Sequence, residues 1–257
     1  MNPTVGQIES CMNTLAPFDT AEDFDNVGLL LGRRDTPVTA VLVALDATLA
    51  VAEEARRLGA QLIVTHHPLF FHARRNLVEE DPEAQTVCRL VRDGIALISA
   101  HTNLDQTALS GSACAARALG LENIRQDKYL FLGDVPAPEE AASLARRAGK
   151  VLAAPIRIYG DPSRTVRTLA IAGGAYDEGY VRARELGAQA LLTGEVRHHN
   201  ALAAAMEGFV LMDGTHYGTE RILVPPLAAS LQKALSALQY TVTVYPSTAA
   251  LFAGGVD

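Results

Sequence analysis

Short, unbroken apolar runs alternate along this chain with longer stretches whose apolar residues recur every three or four positions. The first pattern predicts buried strands and the second amphipathic helices. Residues 38–46 (VTAVLVALD), 61–65 (QLIVT) and 95–100 (IALISA) are the strands of the first half. Helices are predicted over 48–58, stopped by Gly59, and over 82–93, stopped by Gly94. A glycine there supplies the left-handed residue that ends a helix. The second half repeats the grammar, with helices over 139–148, 178–186 and 200–206 closed by Gly149, Gly187 and Gly208. Its strands are 166–172, 189–193 and 209–213. A long helix follows from His216, bent or interrupted at Pro225-Pro226, and 240–245 (YTVTVY) alternates as a late edge strand would. Apolar strands separated by helices predict a mostly parallel sheet covered on both faces.

The chain also resembles itself. Residues 55–65 read ARRLGAQLIVT and 183–193 read ARELGAQALLT, with seven of eleven positions identical. Further on, His101-Thr-Asn-Leu-Asp105 has a counterpart in His216-Tyr-Gly-Thr-Glu220, each after an apolar strand. Two matches in the same order predict an internal duplication. The expected architecture is α/β in two similar halves, 1–125 and 126–257, and GDVPAP at 133–138 is the best candidate junction.

Composition narrows the function. The 257 residues carry a net charge of -7, and no basic stripe is present to neutralise phosphates, so no nucleic-acid partner is expected. Pairs such as Arg56-Arg57 read as solvated helix faces. No window is apolar for the length of a membrane span. The first residues lack the basic and apolar regions of a secretory signal. The three cysteines form no CxxC pair and read as reduced core thiols. Together these predict a cytoplasmic protein.

In open α/β sheets, ligands bind beyond the carboxyl ends of the strands, and this chain concentrates its polar chemistry there. QLIVT runs into His66-His67, IALISA into His101 and Asp105, ALLT into Glu195, and FVLMD into His216 and Glu220. Imidazole and carboxylate together suit Zn, Mn, Fe, Ni or Co. His66 and His67 would point opposite ways in a strand, unless the backbone turns there, as Pro68 suggests. His216 and Glu220 are four apart and share one face of a helix. A carboxylate such as Glu220 has two oxygens and can bridge two ions. Each residue also has a plainer reading: Asp105 as the N-cap of a helix over 108–119, and Glu220 as a solvated helix residue. Asp25-Asn26-Val27-Gly28 and Gly32 read as a turn-rich loop. Gly173-Gly174 reads as a simple turn or, less simply, as a backbone approach to an anion. His198-His199 stand before a helix, where they would line a pocket.

These motifs resemble the Nif-three-like family, whose bacterial members are often labelled GTP cyclohydrolase 1 type 2 homologues. The resemblance is carried by DNVGLLLG (25–32), THHPLFF (65–71), AHTNLD (100–105), TGEVRHHNALAA (193–204) and DGTHYGTER (213–221). Phe24 stands where many members have Trp, and the stretch from 133 to 167 leaves no room for the inserted domain that some carry. The resemblance implies two intertwined three-layer α/β/α halves forming one compact unit, a toroidal homohexamer, and two divalent ions per subunit. Carried onto this chain, His67 and Asp105 hold one ion, His66 and His216 the other, and Glu220 bridges them. The expected activity is metal-dependent hydrolysis of a small molecule, with nucleotides among the candidates and His101, Glu195 or His199 as general acid or base. The alternatives are a metal-delivery protein or a scaffold without turnover.

Overall fold

The structure is a computed structural model and describes residues 1–250. The last seven positions of the expected second half lie outside the described residues. The chain divides into two compact units, one made of Met1–Leu104 with the chain from Val224 onward, the other of Asp105–Leu223. The expected junction lay between 125 and 126. In the structure the chain passes to the second unit after Leu104 and returns to the first at Val224.

The first unit runs α1 (Val5–Leu15), β1 (Gly28–Leu31), β2 (Ala40–Ala44), α2 (Leu49–Arg57), β3 (Leu62–Thr65), α3 (Pro82–Asp93), β4 (Ala96–Ser99), and α4 (Thr102–Asp105), which ends one residue past it. Its five-stranded sheet has the order β1-β4-β3-β2-β11, with the late strand β11 (Thr243–Pro246) on the edge where its alternation placed it. All neighbours are parallel except β1 with β4. Every residue of β2, β3 and β4 is buried, as strands covered on both faces must be. Ala40, Leu42 and Ala44 pack with Val51, Ala52 and Ala55 of α2 and Leu90 of α3. The Gly94 stop acts as read, and the start of α3 has a cap of its own. Asp81 caps α3 by accepting from the Glu83 and Ala84 amides, Pro82 opens it, and Gly94 closes it at φ +64°.

The second unit runs α5 (Gly111–Ala118), β5 (Glu122–Asp127), β6 (Leu130–Glu140), α6 (Ala141–Leu152), β7 (Arg157–Tyr159), β8 (Thr165–Ile171), α7 (Tyr180–Glu185), β9 (Ala190–Thr193), α8 (His198–Met206), β10 (Val210–Asp213) and α9 (His216–Glu220). Its six strands order as β5-β6-β8-β9-β10-β7. Only β8-β9 and β9-β10 are parallel, so this sheet is more mixed than the sequence pattern predicts. Leu169, Ile171, Leu192 and Met212 face α5 and α6. Ala170, Leu191 and Leu211 face α7 and α8. That alternation is the period-two geometry of a strand with an apolar cover on each side.

Three expectations change. The GDVPAP junction lies inside strand β6, where the ladder to β8 is irregular between Asp134 and Glu139 and accommodates the prolines. Helix α6 runs past Gly149 to Leu152 and is closed by Ala153 in the left-handed conformation. The long helix from His216 is broken by a 3-10 turn at Arg221–Leu223, before the prolines, and α10 (Val224–Ala237) then carries Pro225 and Pro226 in its first turn, where a missing N–H costs nothing.

The two self-similar segments fold alike. Gln61 and Gln189 each open a strand after a left-handed glycine. The Gln61 side chain accepts from the Thr39 amide at 2.7 Å and donates to the Gly59 carbonyl at 2.7 Å. The Gln189 side chain accepts from the Arg167 and Thr168 amides, each at 2.9 Å, and donates to the Gly187 carbonyl at 2.7 Å. One glutamine thus ties a helix end to the neighbouring strand in both places.

Candidate metal centre

In the first unit, three imidazoles converge where β3 and β4 end. Thr65 closes β3, and its hydroxyl donates to the His67 carbonyl at 2.8 Å and meets the Ser99 hydroxyl at 2.8 Å. This turn places the His66 and His67 rings side by side, with centroids 4.9 Å apart, instead of on opposite faces as a straight strand would. His101, just beyond β4, sets its ring 5.1 Å from His66 and 5.5 Å from His67. One ligand atom from each of the three lies within 4.8 Å of the others, so this group could hold a metal ion.

The Nδ1 side of each ring is engaged. His66 Nδ1 donates to the Ala100 carbonyl at 3.0 Å. Asp46 Oδ1 lies 2.7 Å from His67 Nδ1, and Asp25 Oδ1 lies 3.0 Å from His101 Nδ1. A proton fixed on Nδ1 makes Nε2 the basic nitrogen, the arrangement typical of metal-binding histidines. The Nε2 atoms of His66 and His67 are buried. Burial pushes the Asp25 carboxyl up, but hydrogen bonds from His101, the Thr102 hydroxyl and the Thr102 amide outweigh it and hold the group well below the usual carboxylate range. Asp25 therefore stays ionised and keeps the proton of His101 on Nδ1.

Asp105, the last residue of α4, is half-buried. It is not the cap of the following helix, because the Ser110 hydroxyl performs that task for α5 by accepting from the Ala113 amide.

In the second unit, His216 and Glu220 sit four apart on α9, as their spacing predicts, with Nε2 and Oε2 3.1 Å apart. Glu220 is 4% exposed, which excludes the solvated reading. Glu195, from the loop after β9, holds His216 Nδ1 at 2.8 Å. Expected as an acid or base, it takes the orienting position that Asp46 takes on His67. Thr215 caps α9 from a strained φ of +62°, so the turn into the helix is fixed by its hydroxyl contact to the Gly218 amide at 3.0 Å.

Two glycines make room for this pair. A Cβ on Gly174 would lie 2.4 Å from Glu220 Oε1, and one on Gly194 2.7 Å from the His216 Cα. The amides of Gly173 and Gly174 donate to the Ser112 and Thr219 hydroxyls at 2.8 and 3.1 Å. The glycine pair is thus the wall against which Glu220 rests and not a cradle for an anion. His198 and His199 are exposed in the first turn of α8. That helix is anchored by buried Asp177, which accepts from the Arg197 amide at 2.7 Å and from Asn200 at 2.9 Å.

Asp25 and Asp46 are the residues that sequence reading missed. Asp46 closes the apolar run 38–46 and so stands at a strand end like the histidines, a signal open to reading. Asp25 lies in what reads as a turn, and only the fold carries it to His101.

The chain matches the family described as Duf34/NIF3 (NGG1p interacting factor 3) over residues 3–250. It belongs to that family. Among its relatives is a "GTP cyclohydrolase 1 type 2 homolog" of Streptomyces coelicolor, 34% identical over 85% of this chain and 82% of that protein. A Helicobacter pylori protein named "GTP cyclohydrolase 1 type 2" is 31% identical over 93% of this chain and 95% of its own length. The crystal structure of the Staphylococcus aureus hypothetical protein SA1388 matches with a TM-score of 0.94 and 26% identity, covering all of both chains. Among the described residues, no helix of this family member is long and apolar enough to cross a membrane.

Proposed function

We propose that this NIF3-family chain is a divalent-metal hydrolase holding two ions through His66, His67, Asp105, His216 and Glu220. His67 and Asp105 would hold one ion and His66 and His216 the other, with Glu220 available to both. The observation that carries this reading is the common treatment of four imidazoles. His66, His67, His101 and His216 each commit Nδ1 to a carbonyl or carboxylate, which leaves Nε2 as the basic nitrogen, for a metal in His66, His67 and His216 and for a proton in His101. The donor set of nitrogen and oxygen fits Zn, Mn, Fe, Ni or Co.

Ions bound there would supply Lewis-acid polarisation of the substrate and a water acidified towards neutrality. The chain's own part is positional. Asp46 and Glu195 fix the rings of His67 and His216, and buried Glu220 keeps a carboxylate in place against Gly174. His101, whose Nδ1 proton Asp25 retains, is the residue suited to move a proton at Nε2, with His199 the second candidate. Glu195 acts through His216. In this reading the protein is a cytoplasmic toroidal homohexamer of intertwined three-layer halves that arose by duplication, and its substrate is a small molecule.

The test is a panel of nucleotides, phosphoesters and cyclic amides offered to the metal-loaded protein, with metal content measured in parallel. An activity that disappears with the metal and in His67→Ala supports the proposal. An activity indifferent to both places its source elsewhere, and a chain that retains no divalent ion refutes the metal centre.

A further inference from the structure

A second feature of the first unit begins one ring away from the imidazoles. The 24–26 loop and the 70–77 segment flank an open cleft of about 790 Å³ whose lining includes Phe24, Phe71, Arg74, Arg75, Leu77 and Asp25, the last with its side chain wholly buried. That volume lies in the range of small-molecule sites. We propose that it is a subsite for the non-reacting part of a substrate, a flat aromatic ring system that carries a carboxylate or phosphate. The idea adds a substrate class to the hydrolase reading and relies on that reading only for what happens to the ligand after it binds.

The walls are fixed and apolar. Phe24 and Phe71 stand 6.2 Å apart, centroid to centroid, at 35°, and are 64% and 45% exposed. At that spacing they form one continuous shelf with no slot between them, so a planar ring would lie across both and remove their surface from water. The shelf is held in place from behind. Asn26 donates to the Phe70 carbonyl at 2.7 Å, joining the two segments, and Asp25, next to Phe24, is clamped by Thr102 and His101. Phe71 also meets the His101 ring edge-on at 5.8 Å. A ligand on the shelf therefore extends from the imidazole cluster.

The charge at the cleft selects the rest of the ligand. Arg74 is spent on Asp81 at 2.8 Å and Glu83 at 3.0 Å. Its neighbour Arg75 makes no hydrogen bond or ion pair among the described residues. In a chain of net charge -7, an uncommitted guanidinium beside an aromatic shelf suits an anion, which it can grip with paired N–H donors.

The absence of tryptophan from the chain provides the assay. Phe24→Trp keeps an aromatic shelf and places a single fluorescent reporter on it. The probes are adenosine monophosphate, quinoline-2-carboxylate, adenosine and inorganic phosphate, titrated before and after chelation of metals. We expect saturable quenching by at least one of the two ring anions, and which one responds separates phosphate from carboxylate. Adenosine should bind about tenfold more weakly than the responding anion, and phosphate alone should give no quenching. Added Arg75→Ala should erase the preference for the anion, and added Phe71→Ala should weaken the ring anion about tenfold. Quenching by neither ring anion below about 1 mM, or affinities untouched by both substitutions, overturns the proposal. Because binding is read in metal-free protein too, a missing metal or a missing hydrolysis leaves this result standing, and the reverse holds equally.

Discussion

Gly174→Ala should separate backbone strain from loss of the metal centre. Gly174 has φ +65°, and an added Cβ would sit 2.4 Å from Glu220 Oε1 and 3.4 Å from His216 Nε2. Gly59 provides the control, since its φ is +63° and an added Cβ meets nothing within 4 Å. Placing alanine in the left-handed region costs about 1–2 kcal/mol at either site. In the metal-free protein both variants should therefore melt lower, by about 2–8 °C. Only Gly174→Ala should also push the Glu220 carboxylate off its wall. Displacing a ligating group or its support weakens metal binding by roughly 10–100-fold, so calorimetric titration with Zn should show that loss in Gly174→Ala and wild-type affinity in Gly59→Ala. Wild-type affinity in both variants would refute the role given to Glu220. Equal loss in both would mean that general destabilisation, and not the contact, governs binding.

Asp46→Asn removes the carboxylate 2.7 Å from His67 Nδ1 while keeping its size, and should weaken metal binding by roughly 10–100-fold with little change in melting; an unchanged affinity would rule out its orienting role. Asp177 carries an acid-dependent stability. Burial raises its pKa, but hydrogen bonds from Arg197 and Asn200 prevail and bring it down to about 2. A lowered folded-state pKa gives stability that is complete above the unfolded value, near 4, and is lost as pH falls through about 2. The urea-derived difference between wild type and Asp177→Asn should be about 2 kcal/mol at pH 7 and shrink across that window, whereas a difference constant with pH would show the carboxylate charge to be irrelevant. Gln189→Leu leaves the Arg167 and Thr168 amides and the Gly187 carbonyl without their side-chain partner and should cost about 1–3 kcal/mol, as should Gln61→Leu; a loss below about 0.5 kcal/mol in either would mean that water replaces the glutamine.

Elements with an internal rule were legible in the sequence. Helix α3 announces itself by its apolar spacing and by Gly94 at its end, and β2, β3 and β4 by unbroken apolar runs. The His216–Glu220 pair was legible because helical spacing is local. The β5–β6 hairpin was not. Residues Glu122–Asp127 are polar except Ile124 and almost all exposed, so no burial pattern marks them. Gly133 in β6 looks like a linker glycine, yet its missing side chain admits Leu121, whose Cβ would stand 2.6 Å from a Cβ there. Site residues divide the same way. The metal-ligand candidates follow from strand ends, but the pairing of Asp25 with His101 spans 76 positions, and only the fold brings it about.

The order of the chain has a bearing on how the protein is made. The second unit is continuous in sequence, and all six of its strands have been synthesised by Asp213. The first unit is not: its sheet lacks edge strand β11, and β2 lacks its contact with α10, until the chain has passed Pro246. Domains fold largely as they emerge during synthesis, and exposed sheet edges invite association in the interval. The unit that begins first is therefore the one that finishes last. Its imidazole cluster stands on a sheet with an open edge while the second unit is being synthesised, and a released chain truncated after Leu223 should show a protease-resistant second unit beside a first unit that is still cleavable.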